Sequence, residues 1–452
     1  MRQELDREIW RLSIPAFLAL VAEPLFLLSD AAIVGRLGTP ELAGLGIAAI
    51  VLQTAVGLCV FLAYGTTASV ARHLGAGDRR AALTQGVDGI WLAVAIGLLT
   101  TIAGVALTEP LVGLFGVGET VSEHATTYLR VAFLGTIPLL VMLATTGVLR
   151  GLQDTRTPLV VAVAGNALNI VLNVLLVYGV GSWGGLGLVG SALGSVLAQV
   201  ASAAALLVVV TRAARAEGAS LRPDLRGVRA AAHAAVALVV RTLTLRAALL
   251  VTTYAVTVGA ASATGRDDAT LELATHQLAL TLWTFLAFAL DAIAIAAQAI
   301  TGRYLGAGDV VGARAVTRRM VQWGVLSGIV TGLALAALSP LLGPLFSNDP
   351  EVHRLLVPVL LVAALAQPLA SVVFVLDGVL IGAGDGTYLA WGGLVTLIVY
   401  VPLVLVAAHL VGGLVVVWAV FCSAFMGARL VVLALRARGE RWLVTGAPTV
   451  AP

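Results

Sequence analysis

A carboxylic acid inside an apolar stretch is the first feature of this 452-residue sequence that could do chemistry. Asp30 follows Pro24 and is flanked by leucines and alanines. Because apolar surroundings disfavour a charged carboxyl, Asp30 could take up and release a proton, or hold a cation when water enters. The structural alternative is that Asp30 only bonds the backbone freed by Pro24. Glu23 stands seven residues earlier, about two helical turns, so both acids can share one helix face.

Three amide side chains form a second pattern. Asn166, Asn169 and Asn173 are spaced by three and four residues, which places them on one stripe of a helix. Such a stripe predicts a hydrogen-bond network that faces the interior of a helix bundle, with simple adhesion between helices as the alternative. Gln53 and Tyr64 are candidates to line the same cavity.

The second half of the chain has its own polar residues within apolar stretches. These further candidates for a substrate cavity are His276, Asp291, Gln298 and Asp377. An ionised side chain at the centre of a bilayer costs about 3 kcal/mol or more, so such residues indicate function. For His276 we favour a hydrogen-bonding core role over a proton relay.

Composition requires membrane helices to position these residues. Hydrophobic residues make up 60% of the chain and charged residues 11%, and the mean hydropathy is +1.01. Soluble proteins have about 45–50% apolar and about 25% charged residues, so a water-soluble globular protein is excluded. Twelve stretches are long enough to cross a bilayer as helices, and the alternating strands of membrane barrels do not occur. The predicted spans are about 12–34, 45–70, 82–107, 122–146, 158–179, 186–210, 238–261, 272–299, 315–338, 353–376, 387–409 and 412–435.

Arginine placement orients these spans. All 27 basic residues are arginine. With the N-terminus inside, 23 of the 27 lie on the cytoplasmic side, and Arg36, Arg130, Arg266 and Arg354 remain at or near the outer side. Because cytoplasmic loops carry the excess of basic residues, the bias predicts a multi-pass protein of the inner or plasma membrane with both termini in the cytoplasm.

The two halves of the chain repeat each other. The segment Arg72–Asp78 (RHLGAGD) recurs as Arg303–Asp309 (RYLGAGD), an offset of 231 residues (303 − 72). Each copy has an even number of helices, so both face the same way, as in transporters that alternate access to a central cavity. Asp291 and Asp377 have no acidic counterpart at this offset. The predicted domains are an N-terminal six-helix lobe at 1–210, a cytoplasmic linker at 211–237, a C-terminal six-helix lobe at 238–436 and a cytoplasmic tail at 437–452.

Motifs for other functions are missing or have a structural explanation. There is no Walker A, HExxH or CxxC sequence, and Cys59 and Cys422 lie in apolar runs, so we predict no catalytic residues, no metal site and no nucleic-acid partner. The string Gly-Ala-Gly-Asp, which ends at Asp78, Asp309 and Asp385, is similar to a motif of intramembrane aspartyl proteases. Those enzymes also need a Tyr-Asp pair, which this chain lacks. We expect the glycines to turn the chain and each aspartate to cap the next helix.

Two stretches carry a resemblance to a known family. Residues 23–48, with EPL, SDAAIVGRLG and LAGLGIA, are similar to the first-helix signature of the multidrug and toxic compound extrusion (MATE) family. Residues 296–308 are similar to its eighth-helix pattern, and Asp291 and Asp377 resemble its DinF-like branch. The resemblance covers nearly the whole chain. It implies an all-α integral membrane protein with twelve transmembrane helices in two pseudo-symmetric six-helix lobes, a parallel V-shaped repeat.

The resemblance also implies roles for individual residues. Asp30 matches a first-helix aspartate that takes up protons, and Asn169 and Asn173 match a fifth-helix pair, which makes these three the cation-coupling candidates. Several members have aspartate where this chain has Asn173, so one candidate ligand is lost. Asp377 matches a tenth-helix aspartate used in the sodium-coupled branch. However, no acid occurs at 241–261, where that branch often has a glutamate.

The predicted function is therefore antiport: export of cationic or amphipathic small molecules in exchange for protons. The ion gradient is the energy source, so no cofactor is expected, and the expected surroundings are membrane lipid around a monomer. Three alternatives stay open here: sodium-coupled export, a flippase for a lipid-linked substrate with Arg130 in its cavity, and a channel or receptor.

Overall fold

The structure is a computed structural model that describes residues 2–264 and 269–447. Within these ranges the chain is built from helices joined by short loops. Arg266, predicted on the outer side, and residues 448–452 of the predicted tail lie outside the described residues. The helices are α1 Arg2–Val34, α2 Thr39–Leu58, α3 Phe61–Gly75, α4 Arg79–Ala106, α5 Thr108–Gly113, α6 Glu119–Ala132, α7 Thr136–Gly151, α8 Arg156–Tyr178, α9 Leu188–Ala216, α10 Leu225–Thr264, α11 Thr270–Gly306, α12 Val310–Phe346, α13 Pro350–Gly382, α14 Gly386–Leu410, α15 Leu414–Val420 and α16 Met426–Arg438.

Twelve of the described helical stretches are long and apolar enough to cross a membrane, which confirms the predicted count. Three of these spans are interrupted. The second is divided between α2 and α3, the fourth has a 3₁₀ turn at Phe133–Gly135 between α6 and α7, and the last has a π-helical turn at Phe421–Phe425 between α15 and α16. Pro138 explains the 3₁₀ turn, because it has no N–H to bond the carbonyl four residues earlier.

The predicted linker at 211–237 is mostly helical. Only residues 217–224 lie between α9 and α10. Gly218, with a φ of +65°, follows the end of α9 in the left-handed conformation that glycine adopts most easily. Asp224 Oδ1 accepts a hydrogen bond from the Arg226 N–H (3.0 Å) at the start of α10. Polar residues therefore extend both helices beyond the apolar stretches that the sequence marks.

The helices pack in two compact units. The N-terminal unit comprises Ile14–Ala235 and Gly446–Pro452, and the C-terminal unit comprises Met1–Ser13 and Val236–Thr445. In the N-terminal unit, α7 packs against α3, α4 and α9, and α8 packs against α9. In the C-terminal unit, α13 is central and packs against α11, α12 and α16.

The internal repeat is visible in the helix boundaries. The spans Thr39–Gly75 and Thr270–Gly306 begin and end 231 residues apart (270 − 39 and 306 − 75), and so do Glu119–Gly151 and Pro350–Gly382. The offset found in the sequence therefore holds for whole helices and not only for short motifs.

The three Gly-Ala-Gly-Asp strings lie in loops, as expected, but only two act as helix caps. The second glycine of each has a positive φ of 80°, 74° or 76°. Asp78 accepts from the Ala81 N–H (2.8 Å) and Asp309 from the Gly312 N–H (2.7 Å). The cap predicted for Asp385 is wrong: its oxygens accept from the Arg436 guanidinium at 2.5 and 3.1 Å. A charge-assisted pair is stronger than a bond to one backbone N–H, which accounts for the difference.

Glycines let α12 approach α13 closely. A Cβ atom on Gly328 would lie 2.6 Å from the Gln367 carbonyl oxygen, and one on Gly332 would lie 2.6 Å from the Ala364 carbonyl oxygen. These glycines are four residues apart, so they share one face of α12. Small residues at this spacing are typical of tight packing between membrane helices, where no hydrophobic effect drives association.

The first turns of α1 belong to the C-terminal unit through one carboxylate. Asp6 accepts two hydrogen bonds from Arg319, at 2.6 and 2.7 Å, and a third from Trp323 Nε1 at 2.7 Å. The Trp323 ring also packs edge-on against Trp10, with centroids 4.8 Å apart. The Asp6 hydrogen bonds and the packing of Trp10 on Trp323 therefore attach this segment to α12.

Arg72 and Arg303 occupy equivalent positions of the repeat, and each contacts a residue of a terminal segment. Arg303 forms an ion pair with Glu8 (2.6 Å) in the C-terminal unit. Its counterpart Arg72 donates to the Gly446 carbonyl at 3.1 and 2.8 Å in the N-terminal unit. The repeated Arg-x-Leu-Gly-Ala-Gly-Asp motif therefore supplies an anchor for a terminal segment in both units.

Candidate functional site

Asp30 lies in a buried ring of hydrogen bonds in the N-terminal unit. Its side chain is 4% exposed, and it projects from α1 towards α8 and α9. The Asn173 amide donates to Asp30 Oδ1, and the Ser195 hydroxyl donates to Asp30 Oδ2 at 3.2 Å. These partners are side chains on other helices, so the alternative that Asp30 serves the backbone at Pro24 is not supported.

Asn169 closes this ring. Its Nδ2 donates to Ser195 Oγ at 3.0 Å, and its Oδ1 accepts from Asn173 Nδ2 at 3.3 Å. Asp30, Asn173, Asn169 and Ser195 therefore form a closed cycle, which we call the Asp30 ring. Asn169 and Asn173 are each 0% exposed, so the ring is shielded from solvent.

The helix spacing that permits the ring depends on one small residue. Gly194, which precedes Ser195 on α9, faces Asn173 on α8 so closely that a Cβ atom there would lie 3.2 Å from Asn173 Cγ and closer still to its Oδ1. Any larger residue would push the amide away from Asp30. The hydrogen-bond partners of Asp30 are therefore brought together by the close packing of α8 and α9. This packing involves Asn169 and Asn173 on α8 and Gly194 and Ser195 on α9.

Two further groups next to the ring were missed by the sequence analysis. Tyr128, 5% exposed on α6, lies beside Ser191 and Ser195 and within electrostatic range of Asp30. Ser191, 0% exposed, is one turn from Ser195 on α9. The four-residue spacing of the two serines in an apolar helix was a usable signal. Nothing around Tyr128 in the sequence distinguishes it from an ordinary core tyrosine.

The chemistry of the ring is that of one carboxylate with neutral partners. The ionised form of Asp30 is stabilised by two donors, as a buried charge requires. Among the described residues, the buried Asn173 Oδ1 and Ser191 Oγ have no hydrogen-bond partner. Asn173 Oδ1 belongs to the side chain that bonds Asp30, so it can accept a bond from a protonated Asp30 once the amide turns. Among the described residues there is no group of three or more metal-ligating side chains of the His, Cys, Asp and Glu type.

The other predicted residues of the N-terminal unit do not join the ring. Asn166, half-buried on α8, donates to the Ala22 carbonyl of α1 at 2.8 Å. Glu23 is exposed and lies outside the ring. Gln53 is exposed and Tyr64 is half-buried. Asn166 and Asn173 thus bond α8 to α1, whereas Asn169 bonds Ser195 on α9.

In the C-terminal unit, Asp377 is bound to arginine. The residue is 7% exposed, and both carboxylate oxygens accept from Arg241, one from Nε at 3.2 Å and the other from Nη2. Arg429 is a second cation, with its Nη2 3.8 Å from Asp377 Oδ2. Asp291, half-buried on α11, lies within electrostatic range of Arg429. The two aspartates predicted to line a cavity are therefore near a pair of arginines.

His276 has the core role that the sequence favours. It is 2% exposed, its Nδ1 accepts from Trp418 Nε1 at 3.1 Å, and its Nε2 is 3.1 Å from Thr253 Oγ1. Indole nitrogen only donates, so Nδ1 must be the acceptor and the ring is the neutral Nε2–H tautomer, which donates to Thr253. Gln298 is also buried, at 2% exposure.

Comparison with known proteins places this architecture in a family. The model of the MatE family matches residues 15–175 and 249–406. Protein DETOXIFICATION 44, chloroplastic, of Arabidopsis thaliana is 31% identical over 426 residues, which are 90% of this chain and 78% of that protein. The DNA damage-inducible protein F of Escherichia coli K12 is 28% identical over 384 residues, 84% of this chain and 82% of that protein.

Solved structures agree with the fold. The bent form of the Vibrio cholerae MATE transporter VcmN superposes with a TM-score of 0.85 at 20% identity, over 98% of this chain and 99% of that one. A multidrug resistance MATE family transporter in an outward-facing conformation also gives a TM-score of 0.85, at 21% identity, over 97% of this chain and 96% of that one. With its twelve spans, its repeat and the extent of the family match, this chain belongs to the MatE family of multi-pass membrane efflux transporters for multidrug and toxic compounds.

Proposed function

We propose that this transporter exports cationic or amphipathic small molecules in exchange for protons, and that Asp30 carries the coupling proton. The proton gradient is the energy source and no cofactor takes part. The protein lies in the inner or plasma membrane with both termini in the cytoplasm, as the arginine distribution favours, and acts as a monomer.

The observation that carries this proposal is the composition of the Asp30 ring. Among the described residues, the hydrogen-bond partners of the Asp30 carboxylate are a neutral amide and a neutral hydroxyl, and no fixed cation is paired with it. Protonation then changes the charge of the site from −1 to 0 without breaking an ion pair. Asp377 contrasts with it, because the Arg241 guanidinium already occupies both of its oxygens. This contrast also supports protons over sodium as the coupling ion, because the Asp377 carboxylate is already paired with the Arg241 guanidinium.

The ring suggests how a proton changes the local structure. In the ionised state the Asn173 amide nitrogen donates to Asp30. A protonated Asp30 needs an acceptor instead, and the unpartnered Asn173 Oδ1 becomes one when the amide turns by half a rotation. The bond between α1 and α8 thus reverses its direction on protonation. Export results if the two states of the ring favour opposite access to substrate, since coupling requires a difference in affinity between states.

The test is transport by purified protein in liposomes under a pH gradient with no sodium present. We expect a cationic dye such as ethidium to be transported and to dissipate the gradient. Asp30→Asn should insert in the membrane and lose dye-dependent proton flux. Asp88→Asn is the matched control: it is the same substitution at another buried aspartate of the same unit, 2% exposed, on α4 and outside the ring.

The outcomes distinguish the alternatives. Flux lost in Asp30→Asn and kept in Asp88→Asn supports proton coupling through Asp30. Flux in Asp30→Asn equal to the parent refutes it. Dye transport by the parent that needs a sodium gradient would replace protons by sodium. Ion conductance without exchange would indicate a channel.

The flippase alternative lacks the feature that suggested it. Arg130 was its candidate cavity arginine, but its side chain is half-exposed and bonded to the exposed Glu109 at 2.6 Å. A pair of exposed charges at this position does not form a buried site for a lipid-linked phosphate.

A further inference from the structure

A small cavity lies beside the arginines of the C-terminal unit. It has a volume of about 20 Å³ and is lined by Arg241 and Asp377, by Arg429 on α16, and by Thr396 on α14, with glycine and aliphatic residues completing the wall. A void of this size admits one water molecule or an atom-sized ion.

Arg429 lines this cavity with its hydrogen-bonding capacity unused. The residue is 9% exposed, yet it makes no hydrogen bond to any residue in the ranges 2–264 and 269–447. Its contacts are the 3.8 Å ion pair with Asp377 and two aromatic rings, Phe374 and Phe425, whose centroids are 5.9 and 5.7 Å from its Cζ. A guanidinium has five N–H donors, and Arg429 is part of the cavity wall, so donors without a protein acceptor are available to an occupant of the cavity.

The neighbouring acids do not supply those acceptors. Both Asp377 oxygens already accept from Arg241, so the closer carboxylate is shared and lies beyond hydrogen-bond distance of Arg429. Asp291 acts on Arg429 through electrostatics. Arginine stays protonated under all ordinary conditions, so Arg429 keeps its positive charge beside the cavity.

We propose that the cavity is an anion site in which Arg429 binds one monatomic anion, chloride. This inference does not depend on the proposed proton coupling, because it concerns other residues in the other unit. A chloride in the cavity would accept charge-assisted hydrogen bonds from the Arg429 donors, and the volume leaves room for one ion of this size.

The charges around the site set the expected affinity. Arg241 and Arg429 are balanced by Asp377 and Asp291, so the cluster has no net positive charge. The anion is attracted by local donors rather than by an overall field, which predicts weak binding, about millimolar. Weak binding of this kind suits a site that is filled and emptied during a transport cycle.

The experiment measures anion binding to the full-length protein in detergent. The melting temperature is followed against chloride at constant ionic strength, with gluconate, which is too large for the cavity, as the balancing anion. We expect a saturable rise of about 1–3 °C in the parent, since a ligand that binds only the folded state raises its stability. Formate is the comparison anion: a formate response equal to that of chloride, or larger, would show that the site is not limited to one monatomic ion and would overturn the proposal.

Variants on one helix assign the effect to one residue. Arg429→Gln should weaken anion binding at least about tenfold, because it removes the charged donors. Arg436→Gln is the matched control on α16: Arg436 binds Asp385 and does not line the cavity, so the response should equal that of the parent. If Arg429→Gln does not fold, saturable chloride-35 NMR line broadening by the parent measures chloride binding directly. A response unchanged in Arg429→Gln, or no saturable response and no line broadening in the parent, would overturn the proposal.

Discussion

Replacement of Arg241 by leucine tests whether the C-terminal unit depends on its ion pair. In the parent, Asp377 and Arg241 are both largely buried, with 9% and 12% of their side chains exposed. The substitution removes two hydrogen bonds and leaves a carboxylate whose remaining cation is Arg429, at 3.8 Å. The chain would then contain a buried charge without an adequate partner.

The size of the effect follows from this geometry. Loss of one member of a buried ion pair costs about 3–5 kcal/mol. Movement of Arg429 into contact with Asp377 would return about 1.5 kcal/mol, the lower end of the range for a hydrogen bond to a charged group. We therefore expect Arg241→Leu to lower the free energy of unfolding by about 1.5–3.5 kcal/mol. The double variant Arg241→Leu with Asp377→Asn should be less destabilised than the sum of the two single variants by about 2 kcal/mol.

The assay is unfolding of the purified protein by SDS in mixed micelles, followed by tryptophan fluorescence, for the parent, both single variants and the double variant. The sodium test is a separate measurement of the melting temperature of each protein without SDS, with sodium chloride compared with choline chloride at equal ionic strength. A coupling energy below about 0.5 kcal/mol would show that the pair does not form and would refute the reasoning. Stabilisation by sodium that disappears in Asp377→Asn would also refute it, because the carboxylate would then be a cation ligand.

Three further outcomes follow from the contacts described. Ser195→Ala should reduce coupled transport strongly, because Asp30 and Asn169 both lose a hydrogen-bond partner. Ser195→Thr keeps the hydroxyl and should retain coupled transport, and equal flux in the two variants would exclude a role for the hydroxyl. Asp309→Ala should cost about 0.5–2 kcal/mol of stability through loss of its helix cap, measured by the same SDS unfolding, and no loss would count against the cap. Gly328→Leu should lower the melting temperature and the yield of folded protein, because its side chain would collide with the α13 backbone, and a parent-like melting curve would contradict that packing.

Much of the fold could be predicted because few kinds of backbone structure can span a bilayer. An apolar stretch of about 20 residues must form a helix, and so the twelve spans follow from composition and length. The breaks within spans were harder to foresee. The 3₁₀ turn at Phe133–Gly135 had a signal in Pro138, whereas the π-helical turn at Phe421–Phe425 lies in a run of residues that fit an ordinary helix.

The sequence analysis identified the site residues whose polar side chains are costly to place in lipid. It missed the site residues whose side chains lipid tolerates. Asp30 and Asn173 are conspicuous in apolar helices, and the structure brings them together. Ser195 is a small hydroxyl that membrane helices tolerate by bonding their own backbone, so its type alone does not reveal a partner. Asp377 was recognised as costly, but its partner Arg241 was counted only among the arginines that orient the chain. Pairing between distant helices depends on packing that one sequence does not display.

The membership of α1 in both units has a consequence for cutting the chain. A break in the loop at 217–224 would give two fragments with six spans each, but the segment up to Ser13 would stay with the N-terminal fragment. Arg319 and Arg303 would then lose Asp6 and Glu8. The C-terminal fragment would contain Gly446, whose carbonyl accepts hydrogen bonds from Arg72 of the N-terminal fragment. Each half keeps the end that packs in the other, so the protein resembles a domain-swapped dimer whose two copies have been joined into one chain.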